Sequence, residues 1–156
     1  SERDLLPMCH SCGLGVTAWS PLRQGILTGK YNKGTTLSAE EAKRNPKLTP
    51  RLLEIAAEVV AVAQESGHTP AQVAVKWLLQ KPGNIIPILG ARTPEQLEDV
   101  LGAVNFELDE EHMKRLDQIS AIELGFPHDF LAGETVHDFA LGGTVKKLAG
   151  TRKPRV

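Results

Sequence analysis

Residues 85–100, Ile-Ile-Pro-Ile-Leu-Gly-Ala-Arg-Thr-Pro-Glu-Gln-Leu-Glu-Asp-Val, constrain the fold of this chain more than any other stretch. Ile85, Ile86, Ile88 and Leu89 form a short apolar run of the kind buried in parallel sheets, and Gly90 gives a permissive backbone where strand turns into helix. Thr93 is then a good N-cap, Pro94 suits the first helical position, and Gln96 is spaced to complete a capping box with Thr93. A helix starting beside a strand's carboxyl end offers unpaired N–H groups and a positive dipole end. Arg92 stands just before it with five fixed donors, a combination that suits a phosphate. The same pattern also fits an ordinary βα turn in which Arg92 meets only solvent, and these residues alone do not separate the two.

The flanking sequence repeats the alternation. Residues 2–12 read as a short helix and residues 16–19 as a short strand between glycine and Pro21, with Ser20 at its carboxyl end. The glycine-punctuated residues 21–31 read as a loop with at most one helical turn, and the polar, proline-broken residues 33–50 as a long surface loop. Residues 51–66 predict an amphipathic helix, with Leu52, Ile55, Ala56, Val59 and Val60 on one face. A second helix is expected from a Thr69 cap with Pro70 at its start, and a further one after Asp109. From Ala121 onward the chain reads as a wandering extension. Two strands and about five helices cannot close a sheet, so part of the architecture is expected to lie outside these residues.

With 156 residues and a net charge of −1, the chain has domain size and no global field to recruit nucleic acid or membrane. Residues 139–156 are the exception: they carry Lys146, Lys147, Arg152, Lys153 and Arg155 and no acid, as a solvated tail or polyanion contact would. No apolar run has membrane-span length, no leader opens the chain, and a cytoplasmic address is the expectation. Cys9 and Cys12 form one Cys-x-x-Cys without a second pair, so no metal is expected. The start at Ser1, directly into Glu-Arg-Asp-Leu-Leu, reads as that of an excerpt. His68, His112, His128 and His137 read as solvated.

Four blocks taken together carry a resemblance: Gly15-Val-Thr-Ala-Trp-Ser-Pro-Leu, Gly25-Ile-Leu-Thr-Gly-Lys-Tyr, Thr69-Pro-Ala-Gln-Val-Ala-Val-Lys-Trp-Leu-Leu and Ile86-Pro-Ile-Leu-Gly-Ala-Arg-Thr-Pro-Glu-Gln-Leu. In this order and spacing they resemble the aldo-keto reductase family, closely over residues 5–120. Leu124-Gly-Phe-Pro-His-Asp-Phe-Leu looks like the carboxyl-terminal extension of one bacterial-type branch. The resemblance implies an α/β fold, the carboxyl-terminal part of a (β/α)8 TIM barrel: strands seven and eight with flanking helices in residues 1–120, then an extension over 121–156. It implies NADP as cofactor and a small carbonyl substrate for the intact barrel. The family's Asp, Tyr, Lys and His tetrad lies on earlier strands, so no catalytic residue is assigned here, and the isolated chain is expected to be inactive.

By the same resemblance, Trp19 stacks on the nicotinamide, Ser20, Pro21 and Leu22 line its ribose and the pyrophosphate, and the Gly25 loop covers the phosphates. Gly90, Ala91 and Arg92 receive the adenosine 2′-phosphate, and Gln96 and Asp99 meet the adenosine. Val100 departs from the Asn that many relatives carry, which implies weakened adenine recognition. Lys30 and Tyr31 match the phosphate-side loop rather than an acid–base pair. Nucleotide sensing in the manner of potassium-channel β subunits is the alternative function, and self-association of an incomplete barrel through its exposed edges is another.

Overall fold

The computed structural model describes residues 1–32 and 48–144. The expected loop over 33–50 lies, as far as residue 47, outside the described residues, as does most of the basic tail. The chain divides into two units: residues 13–121, and residues 1–12 together with those from 122 onward.

The larger unit begins with strand β1, Gly15–Trp19, followed by a kinked 3-10 segment, Arg23–Thr28. Helices α2, Pro50–Ser66, and α3, Pro70–Leu79, lead to strand β2, Asn84–Ile88. Helix α4, Pro94–Leu101, tightens into a 3-10 turn, Gly102–Asn105, and α5, Glu110–Ser120, closes the unit. The starts follow from side-chain capping, which satisfies N–H groups that no earlier turn can reach. Thr49 accepts from the Leu52 amide, Thr69 from Gln72 and Asp109 from His112. Gly67 ends α2 at φ +73°, and its N–H returns to the Ala63 carbonyl.

β1 and β2 pair in parallel, from Gly15 opposite Asn84 to Trp19 opposite Ile88, so both strands point their carboxyl ends the same way. A two-stranded sheet is marginal by itself, and stability comes from the helices. Val59, Val62 and Ala63 of α2, Val73 and Ala74 of α3, Leu108 and Leu116 of α5 form one buried cluster. Val62 and Val73 are fully enclosed, each stabilising by about 1.5–3 kcal/mol relative to an exposed valine. A second cluster joins Ala71 and Val75 of α3 to Val100 and Ala103, with Leu22 and Leu89 packed on it.

One expectation is overturned in the sheet. The apolar run 85–89 is not buried on both faces: Ile86 and Ile88 are exposed, beside Trp19 at 76 %. Successive strand residues face opposite sides, and among the described residues the side that carries Val16, Ala18, Ile85 and Pro87 is the covered one.

The histidines also differ from expectation. His68 is half-buried, its ring stacked on Phe106 with centroids 3.5 Å apart. His112 lies between Glu65, 3.3 Å from Nε2, and Asp109, 3.1 Å from Nδ1. Both positions abut acids or an aromatic ring from a neighbouring segment, which single-residue context does not reveal. The His137 side chain lies outside what is described.

Arg115 of α5 donates to Glu58 at 2.7 Å and in bidentate fashion to Glu65, tying α5 to α2. The Arg115 guanidinium, aided by His112 and opposed by desolvation, holds the Glu65 carboxyl below the usual carboxylate range. Since its folded value lies below its unfolded one, Glu65 contributes fully above the unfolded pKa of about 4.3, and this contribution is lost as pH falls through the folded value. Glu65→Gln is therefore expected to lower the urea midpoint at neutral pH, with the gap to wild type closing between about pH 5 and pH 3. A gap unchanged over that window would show that the charge on Glu65 is immaterial.

The smaller unit contains helix α1, Leu5–Cys12. Its second part is more regular than a wandering extension, with short helices α6, His128–Ala132, and α7, Glu134–Ala140. Local contacts explain the order: Asp129 accepts from the Gly125 amide, and Phe126 and Phe130 pair one turn apart. Arg3 donates to the Glu123 carbonyl at 2.8 Å and His128 Nε2 lies 3.4 Å from the Asp4 carboxylate, so His128 meets an acid rather than solvent alone.

Candidate functional site

Because β1 and β2 are parallel and in register, the loop after Trp19 and the loop after Ile88 emerge at one edge of the sheet. The expected site residues fall into two groups on these loops. Leu22 from the first and Leu89 from the second pack on the same cluster against α3, which joins their bases.

In the first group, Trp19 presents its indole to solvent at the strand's carboxyl end. Trp19, Ser20 and Pro21 also edge an apolar cavity of about 270 Å³, floored by Ile55, Ala74 and Trp77. Ser20, Arg23 and Gln24 hold positive φ values of 58°, 48° and 57°, three non-glycine residues in the left-handed region within five positions. Each costs about 1–2 kcal/mol, and such strain concentrates where a loop must hold a ligand-facing shape. Gly25 follows at φ +83°. Nothing in the residue types of Arg23 and Gln24, neither of them turn-forming, signals this strain. Tyr31 is buried against Ile26 and Ala56, and the Lys30 ammonium lies 4.6 Å from its ring centroid, a packing arrangement at the end of this segment.

In the second group, Gly90, Ala91, Arg92 and Gln96 are exposed. Among the described residues the Arg92 guanidinium has no carboxylate partner, which leaves its five donors for an anion. The helix start is less open than the sequence implied. Gln96 Oε1 accepts from the Arg92 amide at 3.0 Å, one residue earlier than a capping box requires, and Thr93 Oγ1 accepts from the Gln96 amide at 3.4 Å. Glu95 takes a further donor. Its carboxyl is held below the usual range by the Thr93 hydroxyl and by its own backbone N–H. The full capping box stands instead at α3, where Thr69 and Gln72 satisfy one another.

Asp99 is half-buried, and its carboxylate accepts the Thr69 hydroxyl at 2.9 and 3.2 Å. Val100 is 3 % exposed among Ala71, Val75 and Ala103, so its apolar side chain serves helix packing. Sequence reading found Thr69 as a cap but not its reach to a residue thirty positions away.

The model of the aldo/keto reductase family matches residues 1–121. A putative voltage-gated potassium channel subunit beta of Schizosaccharomyces pombe is 38 % identical over 128 residues, covering 76 % of this chain and 37 % of that protein. The uncharacterized oxidoreductase YrpG of Bacillus subtilis is 38 % identical over 119 residues, covering 76 % of this chain and 36 % of its own length. The chain thus spans a little over a third of these curated relatives. Among solved structures, the glycerol dehydrogenase AKR11B4 from Gluconobacter oxydans is similar with a TM-score of 0.64 and 30 % identity, over 80 % of this chain and 41 % of that one. The thermostable aldo-keto reductase Tm1743 is similar with a TM-score of 0.54 and 29 % identity, over 76 % and 35 % of the two chains. These likenesses indicate the (β/α)8 barrel fold. With its family model matched over most of its length, the chain belongs to the aldo/keto reductase family.

Proposed function

We propose that this chain is the carboxyl-terminal part of an NADP-dependent aldo-keto reductase barrel, contributing strands seven and eight and the cofactor side of the site. Residues 1–120 would form the barrel arc and residues 121–156 its extension, with the rest of the barrel as the partner. The observation that carries this reading is the meeting of two βα loops at one sheet edge, one ending in an exposed tryptophan and the other carrying an exposed arginine ahead of a capped helix. Coverage of a third of its relatives and a sheet with one uncovered apolar face support the incomplete barrel.

Bound NADPH supplies a hydride to the carbon of a small carbonyl substrate. Trp19 offers a flat apolar face to the nicotinamide, and Ser20, Pro21, Leu22 and Gly25 shape the loop beside the ribose and phosphates. Gly90 and Ala91 bring the backbone close without side-chain bulk, and Arg92 neutralises the 2′-phosphate. Gln96 fixes the Arg92 amide, and Asp99 stands one turn further along α4. No residue of this chain is assigned to proton transfer, which falls to the family's tetrad on the other strands. A cytoplasmic address accompanies this reading; among the described residues no helix is long and apolar enough to cross a membrane.

Titrating NADPH and NADH into the chain while following tryptophan fluorescence tests the cofactor side. Weak binding with NADPH favoured is the expected result, without turnover of aldehydes. Equal affinities for the two would remove Arg92 from the site. A second reading, nucleotide sensing by a channel-associated subunit, is favoured by the name of the Schizosaccharomyces pombe relative. Turnover of a general aldehyde by the full-length protein would count against it.

A further inference from the structure

We infer that Thr69 is a positioning residue for the 2′-phosphate end of the proposed NADPH site, acting through Asp99 and α4 without touching the nucleotide. This rests on the cofactor reading above and deepens it. The Thr69 hydroxyl does two things at once. Its oxygen accepts from the Gln72 amide at 3.2 Å, capping α3, while its proton goes to the Asp99 carboxylate at 2.9 and 3.2 Å. A second strut runs parallel, from Gln72 Nε2 to the Asp99 carbonyl at 2.8 Å. Gln72 is itself locked, because its Oε1 accepts from the Thr69 amide at 3.1 Å. Gly102 leaves room for the Gln72 amide, which a Cβ at that position would strike.

The N-terminus of α3 is in this way joined to the third residue from the end of α4. Val100, next in sequence, is sunk against α3, so the inner side of α4 is fixed at Asp99 and Val100 and its first turn is exposed. Gln96 lies one turn before Asp99 and holds the Arg92 amide at 3.0 Å. Thr69 and Gln72 thus hold α4 at Asp99, and one turn earlier on the same helix Gln96 holds the backbone of Arg92. Capping alone does not require this arrangement. Asp caps a helix as well as Thr does but, ionised, has no proton to give, whereas the Thr69 hydroxyl caps α3 and donates to the Asp99 carboxylate through one and the same atom.

The test uses nucleotide affinity of the chain as a ratio. Adenosine is common to NADPH and NADH, so direct contact of Asp99 with adenosine would make Asp99→Ala weaken both nucleotides equally. Displacing Arg92 weakens NADPH alone. Thr69→Asp keeps the cap and removes the proton, and is expected to reduce the NADPH/NADH affinity ratio about three- to tenfold. Asp99→Ala should reduce the ratio similarly, and Thr69→Ser should leave it at the wild-type value. Without nucleotide, hydrogen exchange at the Gln96 and Leu97 amides should accelerate in Thr69→Asp and not in Thr69→Ser. An unchanged ratio in Thr69→Asp, or equal loss of both nucleotides in Asp99→Ala, overturns the inference while the cofactor reading stands. A wild-type chain without preference for NADPH would overturn both.

Discussion

Replacing Arg92 with alanine is expected to cut NADPH affinity by about ten- to a hundredfold while leaving NADH affinity near its wild-type value. A hydrogen bond to a charged group contributes about 1.5–3 kcal/mol, and Arg92 is the exposed cation of the loop after β2, with no carboxylate partner among the described residues. On the proposed reading the discrimination is sharp, because NADH differs from NADPH in the 2′-phosphate alone, the group that Arg92 would meet. Arg92→Lys should recover part of the loss, since the charge remains while the planar fork is gone. Isothermal titration with the two nucleotides measures both values. A parallel fall for NADH would show that Arg92 shapes the loop rather than reads the phosphate.

Gly29→Ala is expected to destabilise the larger unit by about 2–4 kcal/mol. Two costs combine. Gly29 holds φ +78°, where an L side chain is strained, and a Cβ there would strike Cγ2 of Val60 on α2. Valine is stiff at χ1 and α2 is pinned by the main core cluster, so neither neighbour yields cheaply. A lower urea midpoint with an unchanged m-value is the expected signature; a midpoint within experimental error of wild type would mean that the 3-10 segment moves freely against α2.

The local signals were well written into the sequence. Thr69-Pro70, Thr93-Pro94 and Asp109 each announce a helix start, and the structure begins helices within a residue of each. Both strands are legible as short runs, while their pairing with one another, residue for residue from Gly15 opposite Asn84, is not read from either run. What escaped reading is what depends on distance along the chain. Asp99 is assigned to the adenosine by resemblance, and its hydrogen bond from Thr69, thirty residues earlier, is not visible from its neighbours. Val100 reads as a departure from the Asn of many relatives, and the helix it packs on is likewise not visible. The same holds for His112 and Glu65, forty-seven residues earlier. The strained backbone of Arg23 and Gln24 is a further case, since their residue types favour no such conformation and tertiary packing imposes it. For the site, the two loops and their shared edge were legible; which donors of α4 remain available was not.

Glu95 changes what binding at α4 would involve. The Thr93 hydroxyl and its own backbone N–H hold the Glu95 carboxyl below the usual carboxylate range, so the first turn of the helix carries a negative charge of its own. An arriving phosphate would not fill a bare positive pole; it would exchange with a charge of the same sign. On the proposed reading, part of the dipole's attraction is already offset by Glu95, and discrimination between nucleotides would fall to Arg92, which has no carboxylate partner among the described residues.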